Sequence, residues 1–229
     1  MSCASIIQTI PVSSFEELTH RLQSEDVSIR MQVLPASRNL SYAERFALVK
    51  LAVDDPNSRI RYDAVSQLAT LGREDLEASK AILQQTLHND PEMDVRAASA
   101  DTIAALKLVE FFDDLQAIYH SSSDWLMQFS VVAALGELGE PRGYDLLVDA
   151  LNHPNELVQL AAIGSLGELG NPSALELLIP LAQHADWQVR YRVAQALANF
   201  GEPAQSTLQR LQEDPNPNVA ALARSLCST

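Results

Sequence analysis

Small and apolar residues recur along this chain at the spacing of one α-helix face, and the faces themselves return roughly every 31 residues. Taking as anchor the apolar residue that usually precedes Arg or Gln gives Ile29, Ile60, Val95, Met127, Val158, Val189 and Val219. The steps between them are 31, 35, 32, 31, 31 and 30 residues. In the clearer units small or apolar residues follow at offsets 0, 4, 7, 8 and 11, as in Val158, Ala162, Ser165, Leu166 and Leu169. That is a single helical stripe, packed closely through small side chains. A fixed period of this length marks a repeated supersecondary unit.

Punctuation around each stripe completes the unit. Three residues before the anchors stand Asp26, Asn57, Glu92, Asp124, Asn155, Asp186 and Asn216. Six of these seven carry side chains that cap a helix by accepting from its free N–H groups. Twelve residues after the anchor come Gly72, Gly139, Gly170 and Gly201, suited to the left-handed residue that ends a helix. Pro141, Pro172 and Pro203 then fit the first turn of a second helix, as in "PSALELLIPLAQH". Each unit therefore reads helix, turn, helix. Two short helices cannot bury their apolar faces alone, so neighbours must stack.

The predicted fold is all-α, an α-solenoid of about seven units that resembles HEAT repeats of the short kind. The expected organisation is one repeat domain over 1–229, with a degenerate region at 1–54, regular repeats at 55–213 and a cap at 214–229. Pro35 should disturb a helix in the first unit, and the last unit lacks a second helix, as caps require. In HEAT repeats the helix with the Val-Arg pattern generally lines the concave surface. The resemblance gives that role to the helices beginning at Asn57, Glu92, Asp124, Asn155 and Asp186.

Composition narrows the function classes. The 229 residues are 47% hydrophobic but only 6% aromatic, which suits small-residue helix packing. A net charge of −14 without any Lys/Arg run argues against nucleic acid. The first residues lack a basic, apolar targeting pattern, and no apolar stretch approaches the roughly 18 residues of a spanning helix. A cytosolic protein without a transmembrane segment is expected. Cys3 and Cys227 stand at opposite ends of an elongated molecule and imply no disulfide.

No phosphate loop, His-Glu-x-x-His or Cys cluster occurs, so no catalytic residue, required cofactor or metal is assigned. His88, His120, His153 and His184 recur shortly before the next cap, where the helix dipole favours a cation or polar donor. The position after the anchor holds Arg30, Arg61, Arg96, Gln128, Gln159 and Arg190. Such a ladder either fixes repeat stacking through bidentate bonds or offers groups to a ligand. One residue further on are Tyr62, Ala97, Phe129, Leu160 and Tyr191, away from the core stripe. Trp125 and Phe129, and Trp187 and Tyr191, are each four apart and share a face. These rings either fill gaps between units or form a π-stacking surface, with Arg190 and Arg192 able to meet carboxylates. A tetrapyrrole with propionate arms fits the second description.

The blocks "DWQVRYRVAQALANFG" and "DWLMQFSVVAALGELGEPRG", together with "NDPEMDVRAASADTIAALKL" and "NELVQLAAIGSLGELG", resemble the phycobilin lyase family of E/F type, proteins that handle linear tetrapyrroles on phycobiliproteins. The most specific element is the Asp-Trp-x-x-x-aromatic pair. The resemblance implies a cyanobacterial or plastid protein, cytoplasmic at phycobilisomes on the thylakoid surface, active when these are dismantled in nutrient starvation. It implies phycocyanin and allophycocyanin as partners and phycocyanobilin as a candidate ligand. An accessory, non-catalytic role leads, with a bilin lyase subunit as the alternative; the oligomeric state is open. Asp124, Asp186 and Tyr191 would be polar partners of pyrrole N–H groups, alongside Trp125, Gln128, Phe129, Trp187, Arg190, Arg192 and Tyr62. Met127-Gln128-Phe129 replaces Val-Arg-Tyr in the first block, whereas Val189-Arg190-Tyr191 keeps it in the second.

Overall fold

A computed structural model describes residues 14–227, and all regular structure among them is helical. Cys3 lies outside the described residues, and Cys227 is a free thiol. The chain falls into two compact units that divide between Ile82 and Leu83. The first contains α1 (Phe15–Leu22), α2 (Val27–Met31), α3 (Val33–Ala36), α4 (Tyr42–Ala52) and α5 (Ser58–Leu71), and α6 (Leu76–Asn89) runs through the division. The second contains α7 (Met93–Ala105), α8 (Phe112–Ser121), α9 (Trp125–Leu138), α10 (Tyr144–Ala150) and α11 (Glu156–Leu169). It continues with α12 (Ala174–Leu181), α13 (Trp187–Leu197), α14 (Glu202–Leu211) and α15 (Pro217–Cys227).

The anchor stripe forms the core. Ile60, Val95, Met127, Val158 and Val219 are buried, and Val189 is half-buried. Ile29 departs from the pattern and is exposed. Its helix, α2, has only five residues and no buried ones, because the chain breaks at Gln32 and restarts as the short α3 around Pro35. Val27, Ile29 and Met31 are all exposed on this short helix.

Five of the anticipated caps are closed by side chains: Asp26, Asn57, Asp124, Asn155 and Asp186 each accept from the N–H two residues on, at 2.8–3.0 Å. Asn216 does the same for Asn218 at 2.9 Å. Glu92 makes no such bond. Its extra methylene puts the carboxylate beyond the reach of this short turn.

Glycine at the far end follows the prediction in part. Gly139 and Gly170 end α9 and α11 with φ of 74° and 67°. Gly201 has φ 63° and ψ −134°, a conformation that only glycine adopts readily. Gly72 instead has φ −64° and leads into a 3-10 turn. Its carbonyl accepts from the Ser79 hydroxyl at 3.0 Å, so no left-handed residue is needed. In the third repeat the corresponding position holds Lys107, which takes φ 61° without being glycine. Bonds from Lys107 N–H to the Ala104 carbonyl and from Leu108 N–H to the Ile103 carbonyl complete a Schellman turn there.

In the second unit α7, α9, α11, α13 and α15 pack side by side in succession, backed by α8, α10, α12 and α14. The contact between first helices is set by residues without bulk. A Cβ built on Gly136 would fall 2.5 Å from Ser165 Cβ, and one on Gly167 would fall 2.6 Å from Ala196 Cα. The Ser165 hydroxyl donates to the Val132 carbonyl across the first of these contacts at 2.9 Å.

Two substitutions test this packing in opposite directions. Gly167→Ala should cost about 1–3 kcal/mol by overpacking against backbone that cannot withdraw. Lys107→Gly should gain up to about 1 kcal/mol by relieving the left-handed penalty, less what the bond from Lys107 Nζ to the Glu137 carbonyl contributes. Urea unfolding of both variants measures the shifts; a neutral Gly167→Ala would contradict the close-packing account.

Candidate functional site

The ladder after the anchor is built into the turns that precede the first helices. Arg190 donates from Nε and Nη2 to the two Asp214 carboxylate oxygens at 2.7 and 2.8 Å, and from Nη1 to the carbonyls of His184 and Ala185 at 2.8 and 3.0 Å. In the first unit Arg30 treats Asp55 in the same bidentate manner and Arg61 binds the Asp55 carbonyl. Arg96 Nε donates to the Leu87 carbonyl. Gln128 and Gln159 hold the same post with amides: Gln128 Nε2 donates to the Tyr119 carbonyl and Gln159 Nε2 to that of His153. The ladder is a stacking device that ties first helices to their own preceding turns, and Arg30, Gln128 and Arg190 also reach the following turn at Asp55, His153 and Asp214.

The histidines have a different cause from the one the dipole suggests. Two residues before each cap sits an acceptor for the cap N–H: Asp55, Asp90, Ser122, His153, His184 and Asp214. His153 and His184 accept through Nδ1 at 3.0 and 3.1 Å. This network assigns His153 the tautomer with the proton on Nε2, which donates to Gln128 Oε1 at 3.0 Å. A Gln–His pair thereby replaces the Arg–Asp pair of other repeats. His88 instead meets Asp114 at 2.8 Å, and the His120 ring stands edge-on to Tyr119. Among the described residues no three His, Cys, Asp or Glu side chains are placed to hold a metal.

A groove of about 790 Å³ in the second unit crosses α9, α11, α13 and α15. Its wall contains Phe129, Leu157, Leu160, Ala161, Trp187, Gln188, Tyr191, Arg192, Gln195, Asn218, Ala221, Leu222 and Ser225. Relative to the anchors, all but Trp187 lie at offsets −1, +2, +3 and +6, a second helical stripe beside the buried one. Trp187 is 39% exposed, and its ring meets that of Tyr191 edge-on at 6.4 Å and 82°. The ring pair is fixed yet open to a ligand.

The groove sorts the candidate residues. Phe129, Trp187, Tyr191 and Arg192 come together in its wall. Trp125, 42% exposed at the head of α9, is outside the lining, as is Tyr62, exposed in the first unit. Asp124 and Asp186 each commit one carboxylate oxygen to capping. Gln128 and Arg190 are committed to the ladder. The aliphatic wall, above all the exposed Leu157 with Leu160 and Leu222, is missed by a search for polar and aromatic residues. The offsets −1, +2, +3 and +6 would have found it.

These features define an α-solenoid of helix pairs with a groove along its first helices. The chain belongs to the HEAT-repeat family, whose model matches residues 46–136, 80–156 and 144–227. Protein HEATR9 of Homo sapiens and of Macaca fascicularis is 31% identical over 103 residues, 42% of this chain; the match spans only 18% of those proteins. Among solved structures, the complex of CpcE and CpcF of phycocyanin lyase from Nostoc sp. PCC7120 superposes with a TM-score of 0.59 at 22% identity. It covers 100% of this chain and 99% of the other. The Escherichia coli protein YIBA gives 0.58 at 15% identity, over 94% and 93% of the two chains. An engineered protein gives 0.55 at 18%, over 80% and 95%. These likenesses show the shared repeat fold. Among the described residues no helix is long and apolar enough to cross a membrane.

The Arg190–Asp214 pair makes a pH prediction. Its side chains are 11% and 3% exposed, and the Arg190 hydrogen bonds hold the Asp214 carboxyl below its ordinary value of 3.8. A depressed carboxylate stabilises the fold fully above 3.8, and that contribution is lost as pH falls through the lower folded-state value. Asp214→Asn should therefore cost about 2 kcal/mol at pH 7, and its deficit against the parent should shrink below pH 3.8. Chemical unfolding across pH 2–7 would read this; a deficit independent of pH would contradict it.

Proposed function

We propose that this chain is an accessory adaptor that binds phycobiliproteins through the groove along α9, α11, α13 and α15. The observation that carries this reading is the Trp187–Tyr191 ring pair in a groove wall that also holds Phe129 and the aliphatic side chains of Leu157, Leu160 and Leu222. A flat conjugated group, free or displayed on a protein, stacks against such rings, and the aliphatic remainder takes up apolar protein surface. Support comes also from the likeness, over the whole of both chains, to a chain of the complex of CpcE and CpcF of phycocyanin lyase. The sequence blocks around both tryptophans resemble the phycobilin lyase family, and within it the phycobilisome degradation protein NblB.

In this reading the partners are phycocyanin or allophycocyanin, phycocyanobilin is the group that meets the rings, and the adaptor promotes phycobilisome disassembly in a nutrient-starved cyanobacterium. Trp187, Tyr191, Phe129 and Arg192 form the contact surface. Asp186 offers its second carboxylate oxygen to pyrrole N–H groups, and Arg190 holds α13 in place. Trp125 and Tyr62 supply additional exposed rings for the protein partner. The second reading, a lyase subunit that attaches or detaches bilin at a phycobiliprotein cysteine, is favoured by the same full-length likeness.

Retention of phycocyanin or allophycocyanin from pigment extract on the immobilised chain tests the adaptor. Trp187→Ala with Tyr191→Ala should reduce retention about tenfold or more, as loss of central aromatic anchors does, while the unfolding midpoint stays near that of the parent. No retention by the parent chain sinks the reading. If bilin mixed with apo-subunit and this chain gives the absorbance of a covalent adduct, with or without a second lyase chain, the lyase reading replaces it.

A further inference from the structure

The groove is unusual for this chain in its charge. The whole molecule carries −14, yet the residues of the groove wall include no acid and one cation, Arg192. The neighbouring arginine of the same helix, Arg190, spends its guanidinium on Asp214 and two carbonyls. Arg192 has one hydrogen bond among the described residues, a long one of 3.4 Å from Nη1 to Gln195 Oε1, itself a groove residue. Glu168, on the preceding first helix, feels the Arg192 charge but lies outside the wall.

Its position is also built. The Arg192 side chain lies across Gly164 of α11: a Cβ at that glycine would stand 3.5 Å from Cδ, Nε and Cζ alike. Three equal distances to successive atoms mean that the flat end of the side chain rests on the bare helix surface. Gly164 has an ordinary helical backbone and is not needed for a turn. A Cβ alone would make only ordinary contact with the arginine there, whereas a longer side chain would compete with the guanidinium for this place on the wall. A fork held against one wall presents its remaining N–H donors as a pair, the arrangement that accepts a carboxylate.

We propose that Arg192, seated on Gly164, is the residue by which the groove selects its ligand, and that the ligand is a flat conjugated molecule bearing a carboxylate close to its ring system. This rests on the reading of the groove as the binding site, and it adds the anionic group as the selected feature. The rings of Trp187 and Tyr191 hold the apolar body without regard to charge. Arg192 adds the discrimination between an acid and its ester. The same chemistry is met in a free small molecule or in one carried covalently by a protein, and the two sources are separable.

The test uses 1-pyrenebutyrate and its methyl ester, which share a flat four-ring body and differ in the carboxylate, titrated into the full chain with Trp emission as readout. The parent should bind the acid about fivefold more tightly than the ester, the upper range for a solvent-accessible ion pair, and the preference should fall on adding salt. Arg192→Gln should erase the preference while leaving ester binding in place. Gly164→Leu should weaken the preference although Arg192 is still present. Binding of both probes with equal affinity, a preference that survives Arg192→Gln, or no binding of the acid would each overturn the proposal. Parallel retention of phycocyanin on Arg192→Gln separates the sources. Loss of both acid preference and phycocyanin retention places the carboxylate on the carried group. Unchanged retention with lost acid preference confines selection to the free ligand and leaves the adaptor reading standing.

Discussion

Everything in the second unit depends on how closely the first helices approach one another. At Gly136 against Ser165, and Gly167 against Ala196, there is no room for a methyl group, and the backbones meet almost directly. That approach sets the spacing of α9, α11 and α13, and hence the width of the groove on the face beside the buried stripe. It also explains a composition rich in Ala and poor in aromatics: bulk in the stripe would force the helices apart. On the first helices of this unit the few large rings stand where the constraint is absent, at offset +2 and at the helix heads.

The second constraint is the turn that precedes each first helix. A cap two residues after an Asp, Ser or His acceptor, and a ladder residue reaching back to the turn carbonyls, satisfy groups that would otherwise be unpaired at a helix start. Two solutions to the same problem occur side by side, Arg190 with Asp214 and Gln128 with His153. The ionic version is sensitive to acid. The second version puts an amide and an imidazole where the first has a guanidinium and a carboxylate.

Much of this was legible in the sequence because repetition averages out local noise: the stripe offsets, the caps and two left-handed glycines follow from the pattern. What was not legible has specific physical reasons. Lys107 takes a left-handed conformation because a Schellman turn imposes it, although its residue type gives no sign. Ile29 carries the anchor pattern in a five-residue helix too short to have a buried face. The histidines share a position but have different partners, and only coordinates separate an Nδ1 acceptor from an ion pair. Trp125 and Trp187 occupy the same place in their repeats, yet the groove includes one of them, since its wall depends on which neighbours flank the helix.

Trp125 and Trp187 thus provide an internal comparison. Fluorescence of the two single-Trp variants, Trp125→Phe and Trp187→Phe, titrated with phycocyanobilin, tests the central claim that the groove along α13 is the binding site. The account predicts saturable quenching of Trp187 in the first variant and little saturable quenching of Trp125 in the second. Equal quenching of both, or quenching of Trp125 alone, would contradict it.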